Sequence, residues 1–190
     1  AGLVRPYSAP AFRTSLFYEL RVAYENGLTA IGLATGKRST AYLHEKLKET
    51  SHLGVLDVGD ELGYPIDQAV KMGFKQIIIG GMIGKLSKLA QGRFQTHVNE
   101  GEVDFHFLAG LSAELGASKH VCDLIQNART AHQVQNWLKE ESIAIEPNLA
   151  YLAAKQVSLR VENKLDVAVW LFALNGNLLG YSSMERSNVI

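Results

Sequence analysis

Apolar residues recur at helical spacing from Phe12 through Leu16 and Leu20 to Ala23, which predicts a first helix with one buried stripe. Ser8 stands ahead of it as a cap, Pro10 falls in the first turn where a missing N–H is harmless, and Gly27 ends it. The pattern then changes period. Leu28 to Ala34, Leu53 to Val58 and Lys75 to Ile79 read as three short strands. Between them lie a charged helix from Ala41 to Lys48 and a second helix from about Pro65 to Met72, closed by Gly73. Strand, glycine turn, helix, strand is the rhythm of parallel α/β folds, because parallel strands need a crossover. Beyond Gly92 the spacing is helical again, with Phe105, Leu108, Leu111 and Leu115 on one stripe and two more helices at His120–Gln126 and Thr130–Lys139. Val157–Val161 and Val167–Leu174 read as strands, and Asn175-Gly176 is a hairpin turn before Leu178-Leu179.

The expected fold is therefore α/β: an open, mostly parallel sheet with flanking helices and a C-terminal β-hairpin. Residues 1–155 form the expected ligand-binding domain. Residues 156–190 form a β-hairpin appendage, joined without a linker and expected to be part of the same domain.

Composition narrows the function classes. A chain of 190 residues buries roughly 70% of its unfolded surface and needs no staples. Its 19 basic and 19 acidic residues cancel and are not massed, so nucleic acid is not an expected partner. The single cysteine, Cys122, excludes an internal disulfide and a cysteine-paired zinc site. The histidines show no metal-ligand spacing, and no protein-bound metal is expected. No apolar run is long enough to cross a bilayer, and the first residues lack the regions of a signal peptide, so no membrane partner and a cytoplasmic location are expected.

Candidate chemistry sits where strands end, because ligands of open parallel sheets lie beyond the carboxyl ends of the strands. Three loops qualify: Thr35-Gly36-Lys37-Arg38-Ser39, Gly59-Asp60-Glu61, and Gly80-Gly81-Met82-Ile83-Gly84-Lys85. Parallel strands place all three on one edge. There they offer glycine backbone, cations and two acids to a polyanionic or zwitterionic small molecule. The third is the most suggestive, since a buried strand opening through glycines into a lysine-bearing helix exposes unpaired N–H groups to an anion. Lys88, one turn beyond Lys85, shares its face. It is not a phosphate loop: three residues separate Gly80 from Gly84, and Leu86 rather than Ser or Thr follows the lysine. The dinucleotide fingerprint is absent too. Simpler roles remain open at each position: Gly80 and Gly81 as a sharp turn, Lys37 and Arg38 as solvated charges, Asp60 as a helix cap, and His97 as a packed loop histidine.

Four segments resemble the cobalt-precorrin-5B (C1)-methyltransferases, the CbiD family. Gly2-Leu3-Val4-Arg5-Pro6-Tyr7-Ser8 is similar to its G-[IV]-V-R-P-[MY]-S, and Thr35-Gly36-Lys37-Arg38-Ser39 to its T-G-[KR]-R-S. Gly59-Asp60 with Gly63 resembles G-D-F-[IV]-G. The stretch from Gly84-Lys85-Leu86-Ser87-Lys88-Leu89-Ala90 to Thr96-His97 resembles G-K-L-x-K-L-A-x-G-x-x-N-T-H-S. The likeness runs from Gly2 to about Gly116 and corresponds to the C-terminal part of the family. It implies S-adenosyl-L-methionine as methyl donor and C-methylation of a cobalt-corrin precursor at C1 in anaerobic cobalamin biosynthesis, with the cobalt carried by the substrate. It implies a tetrapyrrole as small-molecule partner and an N-terminal partner domain, while a homo-oligomer is left open. The residues it points to for binding are Thr35, Gly36, Lys37, Arg38, Asp60, Gly80, Gly81, Gly84, Lys85 and Thr96. His97 is the candidate catalytic group, taking a proton or holding a carboxylate; Asp60 or Glu61 would face the donor's positive end. Two departures stand out: N-T-H-S becomes Gln95-Thr96-His97-Val98, and A-D-x-R-x-E becomes Gly101-Glu102-Val103-Asp104-Phe105-His106. They favour as the alternative a non-catalytic tetrapyrrole- or ligand-binding module derived from the family.

Overall fold

The computed structural model describes residues 8–47, 54–97 and 101–187. The Gly2–Tyr7 part of the first matched segment and the start of the predicted second strand, Leu53, lie outside them. The elements follow as α1 (Ala9–Glu25), β1 (Ala30–Ala34), α2 (Lys37–Leu47), β2 (Val55–Asp57), α3 (Gly63–Met72), β3 (Gln76–Gly81) and α4 (Ile83–Leu89). Four more helices come next, α5 (Phe105–Glu114), α6 (Lys119–Gln126), α7 (Ala131–Glu140) and α8 (Glu146–Arg160), and then β4 (Asp166–Phe172) and β5 (Leu178–Met184).

The sheet has the order β2-β1-β3-β4-β5. The first four strands run parallel and β5 closes the edge antiparallel to β4. This is the mostly parallel α/β sheet that the alternation of elements predicts. Chain direction reverses its spread at β1: β2 is laid down on one side, β3 and β4 on the other.

Alternation along the strands separates two apolar layers. Ile77, Ile79, Val167, Val169 and Leu171 face the larger layer, built with seven helices. Ile78, Trp170 and Phe172 face the smaller one, where Leu43 and Leu47 of α2 pack. The local devices are those the sequence announces. The Ser8 side chain accepts from the Ala11 N–H, Gly73 closes α3 in the left-handed region, and Thr130 and Gln133 form a capping box on α7.

Three segments differ from expectation. Val157–Val161, expected as a strand, is the last turn of α8 and the residue that caps it. Its alternating look is the tail of a longer helical stripe, Leu149, Ala150, Ala153, Ala154 and Val157, started by Pro147 in the first turn. Lys37, Arg38 and Ser39 belong to the first turn of α2 rather than to a loop. Gly80 and Gly81 are not a turn: they extend β3, pairing with Trp170 and Leu171.

Candidate functional site

The carboxyl ends of β1, β2 and β3 open onto one cleft of about 610 Å3. It sits at the point where the strand order reverses, the position where open α/β sheets bind ligands. Thr35 and Gly36 leave β1, Asp60 follows β2, and Gly84 and Lys85 follow β3; all five line the cleft. Lys37 and Arg38 line it from the start of α2. Thr96 and His97 arrive on the segment after α4. Gly80 and Gly81 do not line it. A Cβ on Gly80 would meet Leu43 Cγ at 2.5 Å, and one on Gly81 would meet Thr35 Oγ1 at 2.8 Å. Their glycine character serves close packing of α2 and α4 against β3.

Lys85 ties the strand ends together. Its ammonium donates to the Thr35 carbonyl and to the Gly59 carbonyl at 3.2 Å, and meets Asp60 Oδ1 at 3.1 Å. Three protons thus have three internal takers. The consequence is that Lys85 fixes the loops instead of standing open to a ligand. Asp60 is held equally firmly. Thr96 Oγ1 donates to its Oδ1 at 2.8 Å, and the Thr96 N–H donates to its carbonyl at 3.0 Å. It caps no helix; the residue at the start of α3 is Leu62. Burial pushes the Asp60 carboxyl up, but the hydrogen bonds from Thr96 and Lys85 and the charges of Lys85 and His97 outweigh it, and it lies below the ordinary carboxylate value. A carboxylate depressed in the fold adds stability above its unfolded-state titration, and that stability is lost as pH falls through the folded value. Urea unfolding followed into the acid range is expected to show this loss in the wild type and a flatter acid limb in Asp60→Asn.

Glu61 diverges from its neighbour. It accepts from Arg13 Nε at 3.0 Å and from Gln95 Nε2, outside the cleft. It does not join Asp60 in facing a ligand. The Glu61–Gln95 bridge and the Phe94 carbonyl, which accepts from the N–H groups of Leu62 and Gly63, zip the 94–96 segment onto the β2–α3 loop. That is how Thr96 and His97, remote in sequence, come to the cleft.

The cations left to receive a ligand are others. Lys37 and Arg38 are exposed and, among the described residues, form no ion pair. They open α2, whose first intrahelical bond runs from the Thr40 N–H to the Gly36 carbonyl at 3.0 Å. Glycine at that position, with φ at 147°, supplies no side chain to cap the first N–H groups. Lys88 adds a third cation. It is only 6% exposed, lines the cleft, and donates to the Thr96 carbonyl at 2.8 Å. Its i+3 spacing from Lys85 is the signal that places it here. Val103, which also lines the cleft, carries no comparable signal. His97 lies exposed at the rim.

A parallel sheet with a cation-lined cleft at its switch point defines an α/β domain suited to small anionic ligands. Comparison with known proteins gives the family. Residues 95–183 match the family described as CbiD, C-terminal domain. Relatives named cobalt-precorrin-5B C(1)-methyltransferase include one from Polaromonas naphthalenivorans, 34% identical over 92% of this chain and 48% of the relative. Another, from Leptospira interrogans, is 32% identical over 99% of this chain and 52% of the relative. A third, from Polaromonas sp. JS666, is 42% identical over 68% of this chain and 35% of the relative. Over most of its length the chain is similar to proteins of the CbiD family. It spans between about a third and a half of the length of these relatives. No solved structure matches it. No described helix is long and apolar enough to cross a membrane.

Proposed function

We propose that the cleft receives the peripheral carboxylates of a tetrapyrrole, and that the chain serves in the C-methylation of a cobalt-corrin precursor, cobalt-precorrin-5B at C1, in anaerobic cobalamin biosynthesis. The observation that carries the reading is the charge balance of the cleft. Among the described residues, Lys37, Arg38 and Lys88 line it, while the one acid that does so, Asp60, is already paired with Lys85. A surplus of cations beside open helix N–H groups suits a ligand that bears several carboxylates. The names of the relatives supply the substrate. S-adenosyl-L-methionine is the proposed methyl donor, and it supplies an electrophilic methyl group when bound. The protein's share is to hold the acceptor in one orientation, which is worth several kcal/mol when two reactants must align. Lys37 and Arg38 bind, Lys85 and Asp60 keep the loops in register, and His97 stands where it can meet a carboxylate or a proton of the acceptor. A further domain, for which the unmatched length of the relatives leaves room, completes the reaction site.

The test is calorimetric titration of the chain with a carboxylated cobalt-corrinoid, followed by turnover with labelled donor in the presence of the partner domain. Binding is expected, and label on the ring is expected with the partner. Absence of binding sinks the reading. Binding without transfer supports the second reading, a ligand-binding module, which the exposed rim position of His97 favours.

A further inference from the structure

A second and roomier cleft, about 800 Å3, lies farther along the same edge of the sheet. Ala173 and Leu174, which line it, follow the carboxyl end of β4, and β4 runs parallel to β3. The cleft therefore opens on the rim that carries the cation-lined cleft. Helix α7 forms one wall with Gln135 and Lys139, and the start of α8 contributes Glu146.

Glu146 is the telling residue. Its side chain belongs to a residue 9% exposed, yet among the described residues it forms no ion pair, and its described partner is the neutral Gln135, whose Nε2 donates to Oε1 at 2.9 Å. A carboxylate in the first turn of a helix does offset the helix dipole, but that role works at an exposed position and does not call for burial. With Oε1 taken by Gln135, Oε2 is not sealed in the protein but opens on the cleft, and a donor or a positive charge there would complete the carboxylate's shell. On the opposite side, beside Asn175 and Asn177, Leu174, 48% exposed, and Leu179, 38% exposed, stand at the cleft with nothing packed over them. Lys139, exposed on the α7 wall, has no described ion pair either.

We propose that this cleft is a second small-molecule site, for a ligand that joins a cationic centre to a carboxylate and an apolar body, with Glu146 taking the positive centre, Lys139 the carboxylate, and Leu174 and Leu179 the apolar part. The two clefts then divide the labour by charge, the first receiving an anionic ligand and the second a zwitterionic one. Naming the occupant of the second as the methyl donor rests on the function proposed above; the site itself rests on the cleft and on Glu146.

The probes are S-adenosylmethionine, which carries a sulfonium, and S-adenosylhomocysteine, its neutral thioether counterpart, each titrated into the full chain. Loss of a charged contact is worth about a tenfold to hundredfold change in affinity. Glu146→Gln is expected to weaken the sulfonium probe by about tenfold or more while moving the thioether by less than about threefold. Leu174→Trp, at an exposed position, is expected to block the cleft and weaken both, and it keeps the test alive if Glu146→Gln does not fold. Replacing Lys37 and Arg38 by alanine is expected to leave both probes unaffected. Failure of the wild type to bind either probe overturns the proposal, as does binding that ignores Leu174→Trp but is lost with Lys37 and Arg38. Failure of the functional reading has its own signature, namely loss of corrinoid binding to the first cleft, which this titration does not measure.

Discussion

Replacing Lys37 and Arg38 together by alanine is expected to weaken binding of a carboxylated corrinoid by about a hundredfold or somewhat more. Each side chain would give a charge-assisted hydrogen bond to a carboxylate, worth about 1.5 kcal/mol at the lower end for a partly solvated contact. The two act beside the uncapped start of α2, so the helix N–H groups retain part of the affinity. Stability should hardly move, by about 0.5 kcal/mol or less, because both residues are exposed and tie no other element down. That separation of binding from folding is what makes the pair decisive. Arg38→Lys alone should fall between wild type and alanine, since an ammonium cannot reproduce the paired N–H groups of a guanidinium. Affinity should also fall as salt is raised in the wild type, and less steeply in the double variant. Calorimetric titration reads all three. A change of less than about threefold in the double variant would remove the cleft from consideration as the carboxylate receptor.

Gly180→Ala is expected to lower stability by about 3 kcal/mol, or to prevent folding, through overpacking. Gly180 lies in β5 against the first turn of α8. A Cβ there would fall on the Glu146 carbonyl group and within 2.9 Å of the Pro147 nitrogen. Those are backbone atoms, which cannot rotate aside as a leucine tip can. Either β5 must lift from α8 or the helix must shift along the sheet, and both break apolar contacts of the larger layer. The midpoint of urea unfolding measures it. Ser183→Ala, exposed on the same strand, is the control and should change stability by about 0.5 kcal/mol or less. A loss below about 1 kcal/mol in Gly180→Ala would mean that α8 does not press on β5 there. A folded but weakened variant should also lose affinity in the second cleft, since Glu146 stands at the point of pressure.

Much of this is legible in the amino-acid sequence itself. The α1 stripe, its Ser8 cap and the Gly73 stop depend on neighbours within a turn or two, and local rules read such features well. So does the alternation of β1, β2 and β3 with intervening helices, from which a parallel sheet and a shared edge follow. Legibility failed where distant parts of the chain decide. Val157–Val161 has the alternation of a strand, but the stripe behind it, from Leu149 onward, buries only when α8 lies against β4 and β5. Gly80 and Gly81 look like a turn, yet Leu43 and Leu86 need their missing side chains, and nothing near them in sequence says so.

The sites divide along the same line. Sequence alone determined that Thr35, Lys37, Arg38, Asp60 and Lys85 would share one edge, because the direction of parallel strands leaves no other arrangement of their ends. It could not assign the charges. Lys85 reads as a cation open to a ligand, but three acceptors from other strand ends surround it; Lys88 reads as its companion, but lies buried toward the cleft. Which ammonium holds the protein and which is left for a ligand depends on distances between segments dozens of residues apart. Such distances exist only once the sheet has formed, and so only the tertiary structure decides them.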